Sequence, residues 1–351
     1  MKKKNIKIAV VGDFADGMKV YSGQTAKVRD YYYYICKRYG EKNVIAVDTR
    51  YWKKELLAVG FKLLRACCIC DSFVLLLCTN GIRTVLPFVM VLRKIFGYKV
   101  FFPVVGGSLI DEFDDDKYLK KHFEEINAVY FETRMLLRHF ETMGYKNIYY
   151  APVFSKRKTL KEEQMPSEYS EPFLLCTYSR VCKEKGISEA IDAVIEINRR
   201  AGRIVCTLDV YGPPTEEYKE EFEQKIREAA DCVVNRPLLG DSDAIESLAN
   251  HYLMIFPTYY EGEGFPIATI ECMKAGLPVV ATDWHFNSEI VENGKTGIVY
   301  KREEEDGLVN SISYLLAHPE EVLKMKRNCL KKADTFNPEN ILNHLFEQID
   351  S

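Results

Sequence analysis

Short apolar runs rich in β-forming residues alternate with amphipathic stretches along most of the chain. In the first half the apolar runs read IKIAVVG, NVIAVD, SFVLLLC, KVFFPVV and NIYYAPV. After a polar, non-periodic stretch the alternation restarts with FLLCTYS and continues through RIVCTLDVYG, LMIFP and LPVVATD. Strands that alternate with helices predict right-handed crossovers and parallel sheets covered on both faces. We therefore expect an α/β fold with two doubly wound domains in tandem.

The chain length and the position of the polar stretch predict the domain boundaries. The chain has 351 residues, and at roughly 100 to 200 residues per domain it has room for two. We expect an N-terminal domain over 1–155, a linker over 156–170 and a C-terminal domain over 171–335. Residues 336–351 are expected to form a C-terminal helix that can cross back to the N-terminal domain.

Composition excludes several classes of protein. Hydrophobic residues make up 47% and charged residues 28% of the chain, which excludes a disordered, collagen-like or multi-span membrane protein. The eleven cysteines are odd in number and lack a regular framework, so we expect the reduced thiols of a cytosolic protein. Cys67, Cys68 and Cys70 have no second cluster or histidine nearby, and we interpret them as small buried apolar residues rather than zinc ligands.

No segment reads as a targeting or membrane-spanning sequence. The N-terminus MKKKNIKIAVVG has too short an apolar run and no small-residue cleavage site, so it is interpreted as a first strand rather than a signal peptide. The apolar segments 72–78 and 84–91 are interrupted by Asn80, Arg83 and Pro87, and neither supplies the ~20 residues that span a bilayer. We expect a cytoplasmic protein.

Charge is distributed unevenly between the two halves. Residues 1–155 carry 25 Lys+Arg against 16 Asp+Glu, and the remainder carries 23 against 35. Basic amphipathic helices of this kind can dock on anionic lipid, although a merely solvated basic surface remains the alternative. The acidic second half argues against a nucleic-acid partner. The basic residues of the early helices are Lys2, Lys3, Lys4, Lys27, Arg29, Lys37, Arg38, Lys53, Lys54, Lys62 and Arg65, interleaved with Tyr31 to Tyr34 and Trp52.

The stretch YEGEGFPIATIECMKAGLPVVATD, residues 260–283, carries the most specific chemistry. It follows the predicted strand LMIFP, and its glycines let backbone amides approach a ligand at the positive end of a helix that starts near Pro266. Glu263 and Glu271 are eight residues apart, so their carboxylates can hold the hydroxyl groups of two different rings. The alternative is that Glu263 complements the helix dipole and Glu271 forms a buried ion pair.

Two cations follow the predicted strand FLLCTYS. Arg180 stands at the end of this strand and Lys185, with Gly186, opens the next helix. Two cations at a helix N-terminus can make a diphosphate site. Solvated charges around a turn are the alternative.

These two patterns together resemble a known enzyme family. Residues 263–266, Glu271 and residues 275–283 resemble the donor-binding motif of the retaining glycosyltransferases of family four, and Tyr178 to Arg180 with Lys185 resembles the family's strand-end arginine and lysine pair. Residues 288–297 resemble its next block, and the resemblance is strong over 172–300. It implies the GT-B fold, which has two Rossmann-like doubly wound domains with a cleft between them.

The resemblance also implies roles for individual residues. Arg180 and Lys185 would neutralise the diphosphate of a nucleotide-sugar donor, and Glu271 would hold the ribose hydroxyls. Glu263 would orient the donor sugar together with backbone amides of the next three residues. The loop before Gly23, which lacks the dinucleotide fingerprint, would meet the leaving diphosphate. The catalytic candidates are thus Arg180, Lys185 and Glu263, and the donor-binding candidates are Gly23, Gly264, Phe265, Pro266 and Glu271.

The sequence departs from the family at two places. Where the family often has a histidine after the fourth strand, this chain has residues 105–108, VGGS, so backbone contacts from Gly106 and Gly107 or a different donor would replace it. The acidic run at 111–116 could bind a metal or an acceptor, but a solvated loop is the default. The histidines have no HxH or HExxH spacing, so we expect no metal and no cofactor. His285, in the turn WHFN, could reach the cleft or serve in packing.

The expected function is that of a metal-independent retaining glycosyltransferase. It would move a sugar from a UDP- or GDP-sugar to an acceptor, for which we prefer a lipid-linked oligosaccharide of cell-surface polysaccharide assembly. Such an enzyme would be peripheral on the inner face of the cell membrane. The alternatives are a sugar-nucleotide 2-epimerase on the same fold and a non-catalytic partner subunit of a transferase.

Overall fold

The chain folds into two compact units. The computed structural model describes residues 6–15, 23–50, 55–105, 109, 113, 117–166, 168–240 and 242–351. Unit 1 comprises residues 1–155 together with 337–351, and unit 2 comprises residues 156–336.

Unit 1 is built on a six-stranded parallel sheet with the order β2-β1-β3-β4-β5-β6. Its strands are β1 Ile8–Gly12, β2 Val44–Asp48, β3 Ser72–Leu76, β4 Lys99–Pro103, β5 Ala128–Phe131 and β6 Ile148–Tyr150. Its first helices are α1 Gly23–Tyr39, α2 Leu56–Ile69, α3 Thr79–Phe96, α4 Lys117–Glu125 and α5 Arg134–Thr142, with a 3₁₀ turn at Glu41–Asn43. Every residue of β1 and β3 is buried, as expected for a parallel sheet covered on both faces.

Helix α1 packs tightly on the centre of this sheet. A Cβ at Gly12 would stand 2.8 Å from Val28 Cγ2 and 2.9 Å from the Leu76 carbonyl oxygen. The helix therefore approaches β1 so closely that a side chain at position 12 would clash with it. Lys27, directly before Val28, is buried, donates to the Val104 carbonyl and pairs with Glu132 at 2.7 Å. This ion pair ties α1 to the ends of β4 and β5.

The basic residues of α1 serve unit 1 itself, which corrects the expectation of a free basic surface on this helix. Lys27 is buried in the pair with Glu132, and Arg29 donates to the carbonyls of Phe14 and Ala15. Lys37 and Arg38 pair with Glu339 and Asp350. Residues 2–4 and 51–54 lie outside the described residues. Lys62 and Arg65 are exposed on α2, as predicted.

Unit 2 repeats the architecture with the sheet order β12-β11-β10-β7-β8-β9, again all parallel. Its strands are β7 Phe173–Tyr178, β8 Cys206–Tyr211, β9 Val233–Arg236, β10 Leu253–Phe256, β11 Val279–Thr282 and β12 Gly297–Tyr300. Its helices are α6 Ile187–Ala201, α7 Lys219–Glu228, α8 Ala244–Ala249, α9 Ile267–Lys274, α10 Asn287–Ile290, α11 Gly307–Ala317 and α12 Pro319–Ala333. Short 3₁₀ turns lie at Glu162–Gln164, Lys183–Lys185 and Asp334–Phe336. The predicted pair of doubly wound α/β sheets is confirmed.

The polar segment that we predict as a linker packs on unit 2. The Leu160 amide donates to the Lys274 carbonyl at 2.8 Å, and Glu162 pairs with Arg327 of α12 at 2.9 Å. Arg157 reaches the side chain of Glu271. This segment is therefore a structural part of the second unit and supplies side chains to it.

The chain ends in helix α13, Pro338–Asp350, which packs on unit 1. Its buried face inserts into the core that contains β1, β3 and β5. Polar contacts fix its far end, where Tyr39 donates to Asp350 at 2.9 Å and Lys99 donates to the Gln348 carbonyl at 3.0 Å. The buried face consists of Leu342, Leu345, Phe346 and Ile349.

The three cysteines of the cluster at 67–70 differ in their exposure to solvent. Cys67 and Cys70 are buried as expected, whereas Cys68 is exposed, because it lies on the outer face of α2. Among the described residues no cluster of three histidines, cysteines or carboxylates is placed to hold a metal. Within the same residues, no helix has the length and apolar character that a bilayer crossing requires.

Candidate functional site

The candidate residues of unit 2 surround the point where its strand order reverses. Numbered within the unit, the sheet order is 3-2-1-4-5-6, and the reversal lies between β7 and β10. In open α/β sheets, ligands bind beyond the carboxyl ends of the strands at this topological switch point. Arg180 and Lys185 follow β7 directly, and the loop with Glu263 follows β10. The fold therefore brings the two sequence motifs to one edge of one sheet.

Lys185 and Glu263 form a buried ion pair at this edge. Lys185 Nζ contacts Glu263 Oε2, and the two side chains are only 9% and 8% exposed. Thr258, two residues after β10, donates its hydroxyl to the same carboxylate oxygen at 2.9 Å. Lys185 Nζ also lies 5.3 Å from the ring centroids of both Phe256 and Tyr260. The pair is largely shielded from water, and this shielding strengthens the attraction between the ammonium group and the carboxylate.

Gly186 holds Lys185 against the β10 loop. Its φ of +70° lies in the left-handed region, and a Cβ there would overlap the carbonyl of Pro257. Gly186 is also the residue from which helix α6 begins. Only glycine therefore lets the 3₁₀ turn that carries Lys185 approach the neighbouring strand end so closely.

Arg180 is the exposed cation of the site. Its guanidinium carbon lies 4.9 Å from the centroid of the Tyr260 ring, and the residue is exposed at the strand end. In the described part of the chain, none of the ion pairs involves Arg180. Tyr260 thus lies against both cations of the motif, and Arg180 offers its guanidinium to solvent or to a ligand.

Glu271 lies in a second buried polar cluster. Its Oε2 accepts from the Tyr178 hydroxyl at 2.9 Å and from Arg157 Nη1 at 2.5 Å. Arg157 Nη1 also donates to the Tyr178 oxygen at 2.7 Å, so the three groups form a closed triangle. Burial, followed by the Glu271 charge, raises the pKa of Tyr178, which stays a protonated donor. The carboxylate is held in one orientation from two directions.

Residues 264–266 lie at the start of α9, where Pro266 is the N-cap. Proline has no N–H, so the backbone donors that we predicted over Gly264 to Pro266 are reduced to Gly264 and Phe265 on this side of the helix. The Phe265 side chain is buried edge-on against Phe336 at 5.7 Å. Phe265 therefore presents only its backbone to a ligand, and the donor-binding role of residues 264–266 stays a prediction.

The remaining candidates belong to unit 1 or lie outside the described residues. Gly23 is the first residue of α1, where a Cβ would meet no atom within 4 Å. Residues 106–108, which replace the family's histidine, are not among the described residues, and neither are the acidic residues of the 111–116 run. His285 lies in unit 2 with a φ of +46°, and its Nε2 is 3.9 Å from Glu261 Oε2.

Arg157, Tyr178 and Thr258 are site residues that sequence reasoning did not identify as functional. Tyr178 stands two positions before Arg180, and Thr258 follows the strand LMIFP, so both are close to recognised motifs. Arg157 comes from the polar segment and shows no motif at all. Its role depends on the tertiary packing of that segment against α9.

Comparisons with known proteins match most of unit 2 to one family. The model of the family "Glycosyl transferases group 1" matches residues 159–332. The GtfA subunit of the UDP-N-acetylglucosamine–peptide N-acetylglucosaminyltransferase of Streptococcus gordonii is 29% identical over 140 residues, which are 40% of this chain and 26% of that protein. Alpha-D-kanosaminyltransferase of Streptomyces kanamyceticus is 27% identical over 151 residues, which are 42% of this chain and 38% of that protein. The chain thus matches between about a quarter and two fifths of these two relatives' length.

Solved structures match the fold over almost the whole chain. HepE of Anabaena, in complex with UDP, superposes with a TM-score of 0.73 at 14% identity, covering 97% of this chain and 99% of that one. Sucrose-phosphate synthase of Thermosynechococcus elongatus gives a TM-score of 0.73 at 15% identity, covering 98% and 99%. These neighbours have the GT-B fold. The segment 159–332, which carries the switch-point site of unit 2, matches the model of the glycosyl transferases group 1 family.

Proposed function

We propose that this chain is a retaining glycosyltransferase that moves a sugar from a nucleotide diphosphate sugar to an acceptor. The observation that carries the proposal is the placement of Glu263, Glu271, Lys185 and Arg180 around one topological switch point. Two carboxylates can hold the hydroxyls of two sugar rings, and two cations can hold the diphosphate between them. Because HepE is described in complex with UDP, a UDP-sugar is the first donor to test, with GDP-sugars second.

The cations act on the charge that grows as the glycosidic bond breaks. A leaving diphosphate gains negative charge while the sugar ring gains positive charge, so fixed cations at the phosphate stabilise the transition state more than the ground state. Arg180 forms no ion pair with any described carboxylate and can meet the diphosphate directly. Lys185 pairs with Glu263, so an entering diphosphate would share its ammonium group with that carboxylate.

The carboxylates bind and orient the donor. Glu271, held by Tyr178 and Arg157, would accept hydrogen bonds from the ribose hydroxyls. Glu263, held by Thr258 and Lys185, would accept from a hydroxyl of the donor sugar, with the backbone at Gly264 and Phe265 beside it. Both carboxylates are fixed before the donor arrives, which reduces the ordering cost of binding.

Retention follows if the acceptor attacks from the face that the diphosphate leaves. The bond between the anomeric carbon and the phosphate oxygen breaks, a bond from the acceptor oxygen to the anomeric carbon forms, and the acceptor's proton passes to a phosphate oxygen. This sequence requires no enzymic nucleophile. It requires no divalent ion either, since Arg180 and Lys185 supply the positive charge.

A lipid-linked oligosaccharide of cell-surface polysaccharide assembly is the acceptor that we propose, with the protein peripheral on the inner face of the membrane. The basic balance of residues 1–155 supports an acceptor presented at an anionic surface. A protein side chain is the second candidate acceptor, because the GtfA relatives are named as peptide-modifying enzymes.

Two rival functions share the fold. A sugar-nucleotide 2-epimerase would need acids and bases free to exchange protons with the sugar, whereas Glu263 and Glu271 are each held by a cation. A non-catalytic partner subunit is suggested by the solved complex of GtfA with GtfB, but such a subunit has no need of both donor motifs. Hydrolysis of UDP-sugars by the purified chain separates the transferase from the partner subunit.

The donor assignment is tested by Glu271→Ala. Loss of the ribose acceptor should weaken the binding of free UDP by roughly 10-fold or more in calorimetry, since a hydrogen bond to a charged group contributes about 1.5–3 kcal/mol. Glu261→Ala is the matched control, because the Glu261 side chain is 85% exposed in the same loop. Unchanged UDP affinity of a folded Glu271→Ala chain would remove the carboxylate from the ribose site.

Metal independence is tested by transfer assays in excess EDTA. Activity should persist, and Arg180→Ala should lose far more in kcat than in donor affinity, because the charge it meets develops during bond breaking. Activity that disappears in EDTA and returns with Mn²⁺ would contradict this mechanism.

A further inference from the structure

Helices α2 and α3 of unit 1 carry a large exposed apolar surface. Of the sixteen large hydrophobic side chains that stand exposed in the described part of the chain, eight lie on these two helices. The most exposed are Leu57 at 89%, Ile95 at 71% and Phe61 at 70%. The others are Leu64, Ile69, Phe88, Val91 and Phe96. We call these eight side chains the α2–α3 apolar face.

The exposed residues form regular stripes. On α2 the outward positions run 57, 61, 64 and 68, and on α3 they run 84, 88, 91 and 95. Both series follow the i, i+4, i+7, i+11 spacing that keeps residues on one side of a helix. Each stripe covers eleven residue steps, about 16 Å of helix. Two packed helices therefore present a continuous surface rather than scattered single residues.

The opposite sides of both helices are already buried. Leu63, Ala66 and Cys67 of α2 face inward, as do Leu86, Val89 and Met90 of α3, each at most 5% exposed. The core thus accounts for the inward stripes only. The α2–α3 apolar face contributes nothing to the core of unit 1, and its exposure to water is unfavourable unless something covers it.

The two helices that carry this face contain charges of one sign only, although the acidic residues Glu55 and Asp71 flank α2 in sequence. Residues 56–69 and 79–96 contain five basic residues and no acidic residue. Arg93 donates to backbone carbonyls of Tyr98 and Glu125, and Lys94 pairs with Glu125. Lys62, Arg65 and Arg83 are exposed on the same helices. Apolar side chains flanked by exposed cations match a surface that is apolar inside and anionic at its edge.

We propose that the α2–α3 apolar face docks on a bilayer of anionic phospholipid, with Leu57, Phe61, Val91 and Ile95 entering the acyl boundary. Lys62, Arg65 and Arg83 then lie at the level of the phosphates, as in interfacial helices. A bilayer fits better than an apolar protein groove because the exposed charged side chains within both helices, Lys62, Arg65 and Arg83 among them, are all cations. Its use for reaching a lipid-linked acceptor rests on the proposed function, but the docking itself requires neither donor nor acceptor.

Flotation with vesicles tests the docking without any transfer assay. The full chain should float with phosphatidylglycerol-rich vesicles at low salt and much less with pure phosphatidylcholine vesicles. Added salt should weaken this binding, because exposed charges are screened over about 8–10 Å.

Two double variants test the apolar and the basic residues of the face separately. The variant Phe61→Ser with Ile95→Ser should lower the partition coefficient for anionic vesicles at least tenfold, and so should the variant Lys62→Gln with Arg65→Gln. The matched controls are Ile204→Ser with Val234→Ser, and Lys324→Gln with Lys331→Gln, which change exposed residues of unit 2. Binding of UDP should be unchanged in all four variants.

Insertion is distinguished from purely electrostatic contact by fluorescence. The emission of Phe61→Trp should shift to the blue on anionic vesicles and be quenched by brominated acyl chains, whereas Ile204→Trp should show neither effect. A wild-type chain that ignores anionic vesicles, an apolar variant that binds as well as wild type, or a Phe61→Trp chain that binds without quenching would each overturn the proposal. None of these results would bear on the donor site, so the two proposals fail separately.

Discussion

At the scale of single residues, the ion pairs of unit 2 differ in burial and therefore in energetic consequence. Arg157 and Glu271 are 12% and 8% exposed, whereas Lys183 and Glu221 are 62% and 41% exposed. An exposed pair contributes about 0–1 kcal/mol because water screens it. Removing one partner of a buried pair leaves an uncompensated charge and costs about 3–5 kcal/mol.

Arg157→Ala should therefore lower the free energy of unfolding by about 3 kcal/mol, because Glu271 loses the guanidinium that pairs with it. Lys183→Ala, the matched control, should cost less than about 1 kcal/mol. Urea unfolding followed by circular dichroism measures both. The double variant Arg157→Ala with Glu271→Ala should recover part of the lost stability, because the unpaired carboxylate is gone. If Arg157→Ala and Lys183→Ala lower the free energy of unfolding equally, then water screens the Arg157–Glu271 pair as it screens an exposed one.

Residue-level prediction from sequence succeeds where the relevant contacts are local. The spacing of Glu263 and Glu271 and the glycine at 186 lie within single loop-to-helix segments, so their placement at one sheet edge follows from the strand and helix pattern. Arg157 is more than a hundred positions from Glu271, and no periodicity connects them. Likewise Lys27 looks like a surface cation of an amphipathic helix, and only the position of Glu132 after β5 makes it a buried one.

At the scale of elements, the alternation of strands and helices is predictable but the ends are not. The helix that we predict to start near Pro266 begins at Ile267, and Pro266 itself is the N-cap of α9. Helix ends depend on which backbone groups find partners outside the helix. The spacing of apolar residues predicts where strands lie and which face of a helix is buried. The caps depend on tertiary contacts of the terminal N–H and C=O groups, which the sequence does not reveal.

Helix α12 packs on unit 2 through a buried lysine. Lys326 donates to the His251 carbonyl at 2.7 Å and lies 4.4 Å above the Tyr169 ring. Burial lowers the pKa of Lys326 to about 7, far below its unfolded value near 10.4. Between these two values the unfolded chain binds more protons than the folded chain, so stability rises with pH.

The stability of the wild type relative to Lys326→Met should therefore increase between pH 7 and pH 9.5, by up to about 3 kcal/mol. Below pH 7 the lysine is protonated in both states, and the difference should become constant. Urea midpoints measured at pH 6, 7, 8 and 9.5 give the curve, and Lys324→Met, on the exposed side of the same helix, should run parallel to the wild type. A pH-independent difference between wild type and Lys326→Met would mean that Lys326 stays charged in the folded chain.

At the scale of the whole molecule, the chain visits unit 1, then unit 2, and returns to unit 1 for its last helix. The return places α13 in a core that was otherwise built from residues 1–155. Leu345 is 1% exposed there, so truncating it removes buried contacts and leaves a cavity. Its neighbour Asn343 is exposed on the same helix and hydrogen-bonds only Glu347 among the described contacts.

Leu345→Ala should therefore destabilise unit 1 by about 2–5 kcal/mol, although the substitution lies within seven residues of the C-terminus. Hydrogen exchange of peptides from β1, β3 and β5 should accelerate strongly, while peptides from β7, β10 and β11 should keep their protection, because each unit has its own core. Ile312→Ala in α11, fully buried in unit 2, should give the opposite pattern, and Asn343→Ala should leave both units unchanged. If Leu345→Ala accelerates exchange equally in both units, then the two cores unfold together and the stability of the donor site depends on the last helix of the chain.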